Sequence, residues 1–364
     1  MRILLWYWGR RGGGAQYTLG LAQALAGRPG VELSLSVSAQ GEFRDRFRNL
    51  SVPTDIVDTY RDLSGFATGL LRLPALTRQL IGRARQADVV VSGMTHVWAP
   101  LVAPALARSG AAFVQVVHDA TPHPGDFGLA WNWRLGRELG AARAAVALSD
   151  QVAVALAARA PALPLIRMPL PALLPAAPAA PPAAAGPGAL RLLFFGRLRA
   201  YKGLDLLRDA FRLLHQSHPG ASLRVVGEGD PEACAPGLAG LPGVRLERRW
   251  VAEAEIPTLL AEADAVVLPY REASQSGVAP QALAMGVPVV ATPVGGLTEQ
   301  VRPGAGGVLA AAVTAPALAE ALAGLMDPAR LAALRQEAAR AGAAAPDWDA
   351  AATALLAGLG RVLR

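Results

Sequence analysis

Residues 263–299 read ADAVVLPYREASQSGVAPQALAMGVPVVATPVGGLTE. The run at 265–268 has the length and β-branched content of a buried strand, and the polar stretch 269–276 breaks that pattern. From Gly277 onward, Val278, Ala282 and Met285 fall on one side of a helix. A second apolar run, 288–292, is closed by the Pro-Val-Gly-Gly turn at 293–296. Strand, polar loop, helix and strand make a βαβ unit, and such units bind ligands beyond the carboxyl ends of their strands. The loop holds Glu272, Ser274, Gln275, Ser276 and Gly277 where a helix N-terminus can receive an anion.

The same alternation extends in both directions. Upstream, strands fit at 3–8, 31–37, 88–91 and 113–117, and helices at 17–26, 68–85 (with Pro74 a candidate break) and 98–108. A helical stretch from Trp131, a short run at 146–148 and a helix with Ser149 as N-cap follow. Residues 171–190, PALLPAAPAAPPAAAGPGAL, carry six prolines, which forbid a regular helix or central strand and mark a linker. Strands then fit at 191–195, 222–226 and 244–248 besides the two already described, with helices at 204–215, 256–262, 315–326, 328–341 and 347–364. The expected layout is an α/β chain of two Rossmann-like, doubly wound domains facing a cleft: 1–170, the linker 171–190, 191–346, and a terminal helix 347–364 packing back on the first domain.

A chain of 364 residues has room for two such cores, and 52% hydrophobic against 17% charged residues makes it globular. The single cysteine, Cys234, excludes an internal disulfide and fits a reducing compartment, so a cytoplasmic location is expected. The N-terminal apolar run is shorter than a signal core and reads as the first strand. The uncharged stretch 89–107 contains Ser92, His96, Pro100 and Pro104, which argue against a membrane span. Net charge is +7, but the basic residues are spread along the chain and aromatics are only 5%, so no nucleic-acid partner is expected.

A second stretch carries chemistry. In FFGRLRAYKGL, residues 194–204, a buried strand ends at Gly196 and a short loop presents Arg197 and Lys202 before a helix. Two fixed cations at a strand end beside a helix N-terminus suit a diphosphate.

The GR-x4-KG pattern at Gly196 to Gly203 resembles retaining glycosyltransferases of the large GT-B family 4. So do VVGEG at 225–229, PYREASQSG at 269–277 and GVPVVA at 286–291. The likeness covers the second half in order and spacing. It implies a GT-B fold whose second domain binds a nucleotide-sugar donor and whose first serves the acceptor. The implied activity moves a sugar from a UDP- or GDP-sugar to a glycan or lipid-linked saccharide with retention. Arg197 and Lys202 would neutralise the departing diphosphate in place of a divalent ion, so no metal or other cofactor is expected. Gly196, Ser274, Ser276, Gly277 and Val278 would line the donor. The family has two glutamates eight positions apart. Here those positions are Ala273 and Gln281, so Glu272, one position earlier, is assigned to the donor sugar, and Gln281 to a ribose hydroxyl.

In the first half the resemblance implies that His118, after the strand 113–117, contacts the donor sugar or polarises the acceptor. Asp119 and His123 are its neighbours, and His96, after another strand, is an acceptor-side candidate. Gly13 and Gly14 follow the first strand, in a loop that resembled proteins turn toward donor phosphate or acceptor. Arginines 72, 78, 83 and 85 among leucines make 68–85 a basic amphipathic segment, a candidate for peripheral contact with the inner face of a membrane. The alternatives are a nucleotide-sugar epimerase of the same fold and a non-catalytic subunit that binds a nucleotide sugar or a partner enzyme.

Overall fold

The structure, a computed structural model, describes residues 1–122, 128–173 and 188–364. Most of the proline-rich linker, and His123, lie outside the described residues. The described residues divide into two compact units, the first made of 1–122, 128–173 and 346–364, the second of 188–345.

The first unit is built on a parallel seven-stranded sheet of order β3-β2-β1-β4-β5-β6-β7. The strands are β1 (Arg2–Tyr7), β2 (Glu32–Ser38), β3 (Thr54–Val57), β4 (Val89–Ser92), β5 (Phe113–Val117), β6 (Ala144–Ala147) and β7 (Leu165–Arg167). Between them run α1 (Gly13–Leu25), α2 (Arg44–Arg48), α3 (Leu63–Ala84), α4 (Ala99–Arg108), α5 (Gly128–Ala141) and α6 (Asp150–Arg159). Helices cover both faces of the central strands, which is why β1 reads as a continuous apolar run. Ile3 and Leu5 enter the core under α1, while Leu4 and Trp6 enter the one under α3 and α4.

The second unit carries a parallel six-stranded sheet of order β10-β9-β8-β11-β12-β13. Its strands are β8 (Leu190–Phe195), β9 (Ala221–Gly227), β10 (Val244–Arg248), β11 (Ala265–Leu268), β12 (Val289–Ala291) and β13 (Gly307–Leu309). Its helices are α7 (Leu204–Ser217), α8 (Pro231–Cys234), α9 (Ile256–Ala261), α10 (Val278–Ala284), α11 (Leu297–Gln300), α12 (Ala315–Ala323) and α13 (Pro328–Ala344). The last helix, α14 (Trp348–Val362), belongs to the first unit. Asp347 caps it by accepting from the Ala350 N–H at 2.8 Å. Leu355 and Leu359 are fully buried there, worth about 2 kcal/mol each. Trp348 fills the space where a Cβ on Gly20 would stand 2.3 Å from its ring.

Three strands escape the sequence pattern: β3, β7 and β13. Each lies at a sheet edge, is three or four residues long and is only partly buried. A strand covered on fewer sides needs fewer apolar residues, so its pattern is weak. The 68–85 segment also differs from expectation. The helix starts at Leu63, where the Asp62 carboxylate accepts from the Gly65 N–H at 2.7 Å, and it continues through Pro74. Leu73 and Leu80 are buried, and Leu76 and Ile81 pack on the same core, so its apolar side is largely interior. The core thus takes four apolar residues of 68–85, while Leu70 and Leu71 stay exposed. No helix among the described residues is long and apolar enough to cross a membrane.

Candidate functional site

In the second unit, β8 and β11 are neighbours at the centre of the sheet, and both informative loops leave from their carboxyl ends. After β8, Gly196 takes φ 129°, a conformation open to glycine, and turns the chain so that Arg197 is exposed. Leu198 bridges to Gly229, tying the loop to the end of β9. A 3-10 turn, Ala200–Lys202, then leads to Gly203 at φ 67°, the N-cap of α7.

The two loops are fastened together. The Arg271 N–H donates to the Tyr201 carbonyl at 2.8 Å, and Arg271 pairs with Asp205. A Cβ on Gly203 would lie 1.9 Å from the Pro269 carbonyl oxygen, so only glycine permits this approach. The Lys202 ammonium sits 3.7 Å from the centroid of the Tyr270 ring and 5.2 Å from that of Tyr201. The attraction of a cation to an aromatic face holds the Lys202 side chain at this place in the loop. Tyr270, buried and reaching the Ser276 hydroxyl at 3.4 Å, was not singled out in the sequence, although it stands inside the loop quoted above.

The 269–277 loop itself is clasped from behind. Gly296 donates to the Ala273 carbonyl, and a Cβ on it would stand 1.9 Å from the Ser274 carbonyl oxygen. Gln300 takes the Ser276 N–H on its side-chain oxygen at 2.8 Å and donates to the Ser276 carbonyl at 3.0 Å. The Ser276 hydroxyl accepts from the Val278 N–H at 3.2 Å. Of the two amides expected to offer backbone donors to phosphate, those of Ser276 and Gly277, the Ser276 amide is taken by Gln300, and the neighbouring Val278 amide by the Ser276 hydroxyl. Nothing local in the sequence signals Gln300, which reaches back 24 residues. Glu272 and Gly277 are half-buried, whereas Ser274 and Gln281 are buried, at 5% and 3% exposure. Arg197, Lys202, Gly196 and the Glu272 to Gly277 loop thus share one edge of one sheet.

In the first unit, His118 and Asp119 follow β5 and pair at 3.1 Å between Nδ1 and Oδ2, both partly exposed. A carboxylate at Nδ1 fixes the orientation of the ring, with Nε2 on the side away from Asp119. Gly13 and Gly14 are the first residues of α1 and not a loop before it. Gly14 is small because a Cβ would lie 2.6 Å from the Tyr7 hydroxyl.

His96 is a further correction. It is 6% exposed, with its ring edge-on to Trp6 at 4.7 Å and near Tyr7 and Trp8, so it offers no surface to an acceptor. Burial, with Arg134 adding to it, pushes its pKa down to about 3 and keeps it neutral. Beside it, the Thr95 hydroxyl donates to both oxygens of the fully buried Glu138, at 2.6 and 2.8 Å. Burial raises the Glu138 carboxyl to about 7. The folded state therefore holds this proton more tightly than the unfolded chain, and the associated stability is complete below about pH 4.5 and lost as pH rises through about 7. Unfolding of the first unit at pH 5 and pH 8 should differ by on the order of 3 kcal/mol from this group. Glu138→Gln should flatten that dependence, and an unchanged pH profile would refute the assignment.

Two parallel-sheet Rossmann-like units with a cationic loop at the central strand end of the second define the GT-B class. Across 99% of both chains the structure superposes on Anabaena HepE in complex with UDP and glucose, at a TM-score of 0.75 and 18% identity. Sucrose-phosphate synthase from Thermosynechococcus elongatus superposes at 0.74 and 20% identity, covering 100% of this chain and 98% of that one. Residues 12–162 match the "glycosyl transferase 4-like domain" family, and residues 189–328 match "glycosyl transferases group 1". The chain belongs to the glycosyltransferases. Curated relatives include a Mycobacterium tuberculosis glycogen synthase, 35% identical over 46% of this chain and 41% of the relative. A D-inositol 3-phosphate glycosyltransferase from Mycolicibacterium paratuberculosis is 38% identical over 47% of this chain and 40% of the relative. The chain thus matches about two fifths of the length of these relatives.

Proposed function

We propose that this chain transfers a hexose from a nucleoside diphosphate sugar, UDP- or GDP-linked, to a glycan or lipid-linked saccharide with retention of anomeric configuration. The observation that carries the reading is Lys202, poised over the Tyr270 ring on the same loop as the exposed Arg197. In the reaction the anomeric carbon's bond to the diphosphate oxygen breaks, and the diphosphate leaves with the electron pair. A bond forms from the acceptor hydroxyl, whose proton is released to the leaving phosphate or to solvent. The negative charge grows on the diphosphate, where fixed cations lower the barrier most. Lys202 and Arg197 supply that charge from the protein, so the reaction is proposed to run without a metal. His118, oriented by Asp119, is assigned to sugar hydroxyls, and Glu272 and Gln281 to the donor. The UDP and UDP-glucose complexes of the HepE structures favour uridine as the base. The reaction is placed in the cytoplasm, where such donors and a reduced Cys234 coexist.

A thermal-shift series tests the donor. At a hundredfold excess over Kd, UDP should stabilise the protein by about 2.7 kcal/mol, a rise of several degrees. EDTA should leave that rise intact, and Lys202→Ala should remove it. The reading fails if neither UDP, GDP nor their sugars shifts the transition.

A further inference from the structure

A hollow of about 320 Å³ opens in the first unit where the loop after β3 meets the first turns of α3. Asp58, Arg61 and Asp62 line it from the loop, and Ser64, Thr68 and Arg72 from the helix. That volume falls at the lower end of the range for small-molecule sites. Its walls are fixed from three other elements. Gln40, after β2, donates to Asp58 at 2.6 Å and accepts from the Thr59 N–H at 2.8 Å and hydroxyl at 2.9 Å. Arg72 reaches from α3 to the Asp58 carboxylate and to the Thr59 carbonyl at 3.0 Å. Arg10, after β1, stacks 4.6 Å from the centroid of the Tyr60 ring and donates to the Arg61 carbonyl. An isolated surface ion pair is worth little, but here several elements converge on one short loop and hold its polar groups in place.

The lining limits what the hollow can take. Two carboxylates, Asp58 and Asp62, face two guanidiniums, Arg61 and Arg72, so their formal charges cancel and neither an anion nor a cation is favoured. Among the described residues the lining holds no aliphatic side chain, so an apolar ligand gains little. A neutral ligand that donates and accepts hydrogen bonds at adjacent positions fits, and that is the chemistry of a saccharide. Sugar hydroxyls donate to carboxylates and accept from guanidinium N–H groups. Asp62 accepts the Gly65 N–H and the Ser64 hydroxyl on Oδ1, each at 2.7 Å, and a carboxylate has room for further donors. The Arg61 guanidinium makes no hydrogen bond or ion pair among the described residues. Hydrogen bonds from Arg72 to Asp58, and from the Gly65 N–H to Asp62, hold both carboxyls below their ordinary range and keep them ionised.

The hollow follows β3 and His118 follows β5, at one edge of a wholly parallel sheet. In the order β3-β2-β1-β4-β5 they stand four strand spacings apart, about 19 Å at about 4.8 Å each. A single sugar ring does not cover that distance. We propose that the hollow is a subsite for a neutral sugar residue of the acceptor, several units from the hydroxyl that reacts, so that the acceptor is an oligosaccharide. The inference rests on the proposed transfer reaction for its use, whereas glycan binding in the hollow needs no donor.

Binding of the full chain, without donor, to an array of neutral and acidic glycans from mono- to hexasaccharides tests it. The parent should retain neutral oligosaccharides, with affinity rising with chain length. Arg61→Gln with Asp62→Asn should weaken that binding about tenfold or more, through loss of charge-assisted hydrogen bonds. Asparagine still caps α3 and Arg61 is exposed, so circular dichroism should be unchanged. In transfer assays on the best-bound oligosaccharide the double variant should raise the acceptor KM about tenfold, and this penalty should vanish on a fragment too short to reach the hollow. Lys202→Ala should bind the array like the parent, which separates failure of this proposal from failure of the donor reading. The proposal is overturned if no neutral oligosaccharide is retained, if only acidic glycans are, or if the double variant binds as the parent does. It is also overturned if KM rises equally on long and short acceptors, which would mark a structural role for the loop.

Discussion

Lys202→Ala is expected to lower donor turnover about 100- to 1,000-fold, read as release of nucleoside diphosphate from its sugar. The fold should survive. Loss of the cation over Tyr270 costs about 1 kcal/mol, a shift of a few degrees at most. Lys202 is the one lysine in a chain that otherwise uses arginine for every basic position, so its presence is not drift of composition. A compact ammonium fits over the Tyr270 ring, whereas a planar guanidinium would stack on it and reach further. Lys202→Arg should accordingly recover little of the loss. Tyr270→Leu, which keeps the charge but removes its platform, should cost about tenfold. Turnover within threefold of the parent for Lys202→Ala would end the assignment of this residue to the leaving group.

Asp264→Ala is expected to have the largest effect on stability, about 3–5 kcal/mol in the second unit. Asp264 is fully buried at the start of β11. Its carboxylate accepts from the Arg191 N–H at 2.7 Å and from the Arg191 guanidinium at 2.8 Å, and it also pairs with Arg335 of α13. It therefore joins the two central strands that launch both loops of the donor edge and ties α13 beneath them. Truncation would remove the buried carboxylate that two partly buried arginine side chains share. Denaturant unfolding followed by a probe in the second unit measures the loss, and a change under 1 kcal/mol would show the network to be dispensable. Because β8 and β11 carry the Lys202 and Glu272 loops, donor affinity should fall in the same variant.

Much of this was legible in the sequence. The βαβ alternation, the loops after β8 and β11, and Ser149 as a helix cap are local features, set by side-chain period and by single residues that end or start an element. Gly203 was visible as part of a motif, though its reason, close approach to Pro269, was not. The edge strands β3, β7 and β13 were missed because a strand buried on fewer sides needs no long apolar run.

By itself the sequence determined two parallel α/β halves and a pair of cations at a strand end, because burial and turn chemistry are written residue by residue. Only the tertiary structure decided which groups remain available to a ligand. It set the Ser276 amide against Gln300, enclosed His96 among tryptophans, turned Leu73 and Leu80 of α3 inward, and left Leu71, Leu129 and Trp133 in solvent. Periodicity says which residues share a side of an element. What packs against that side comes from elements far away in the chain.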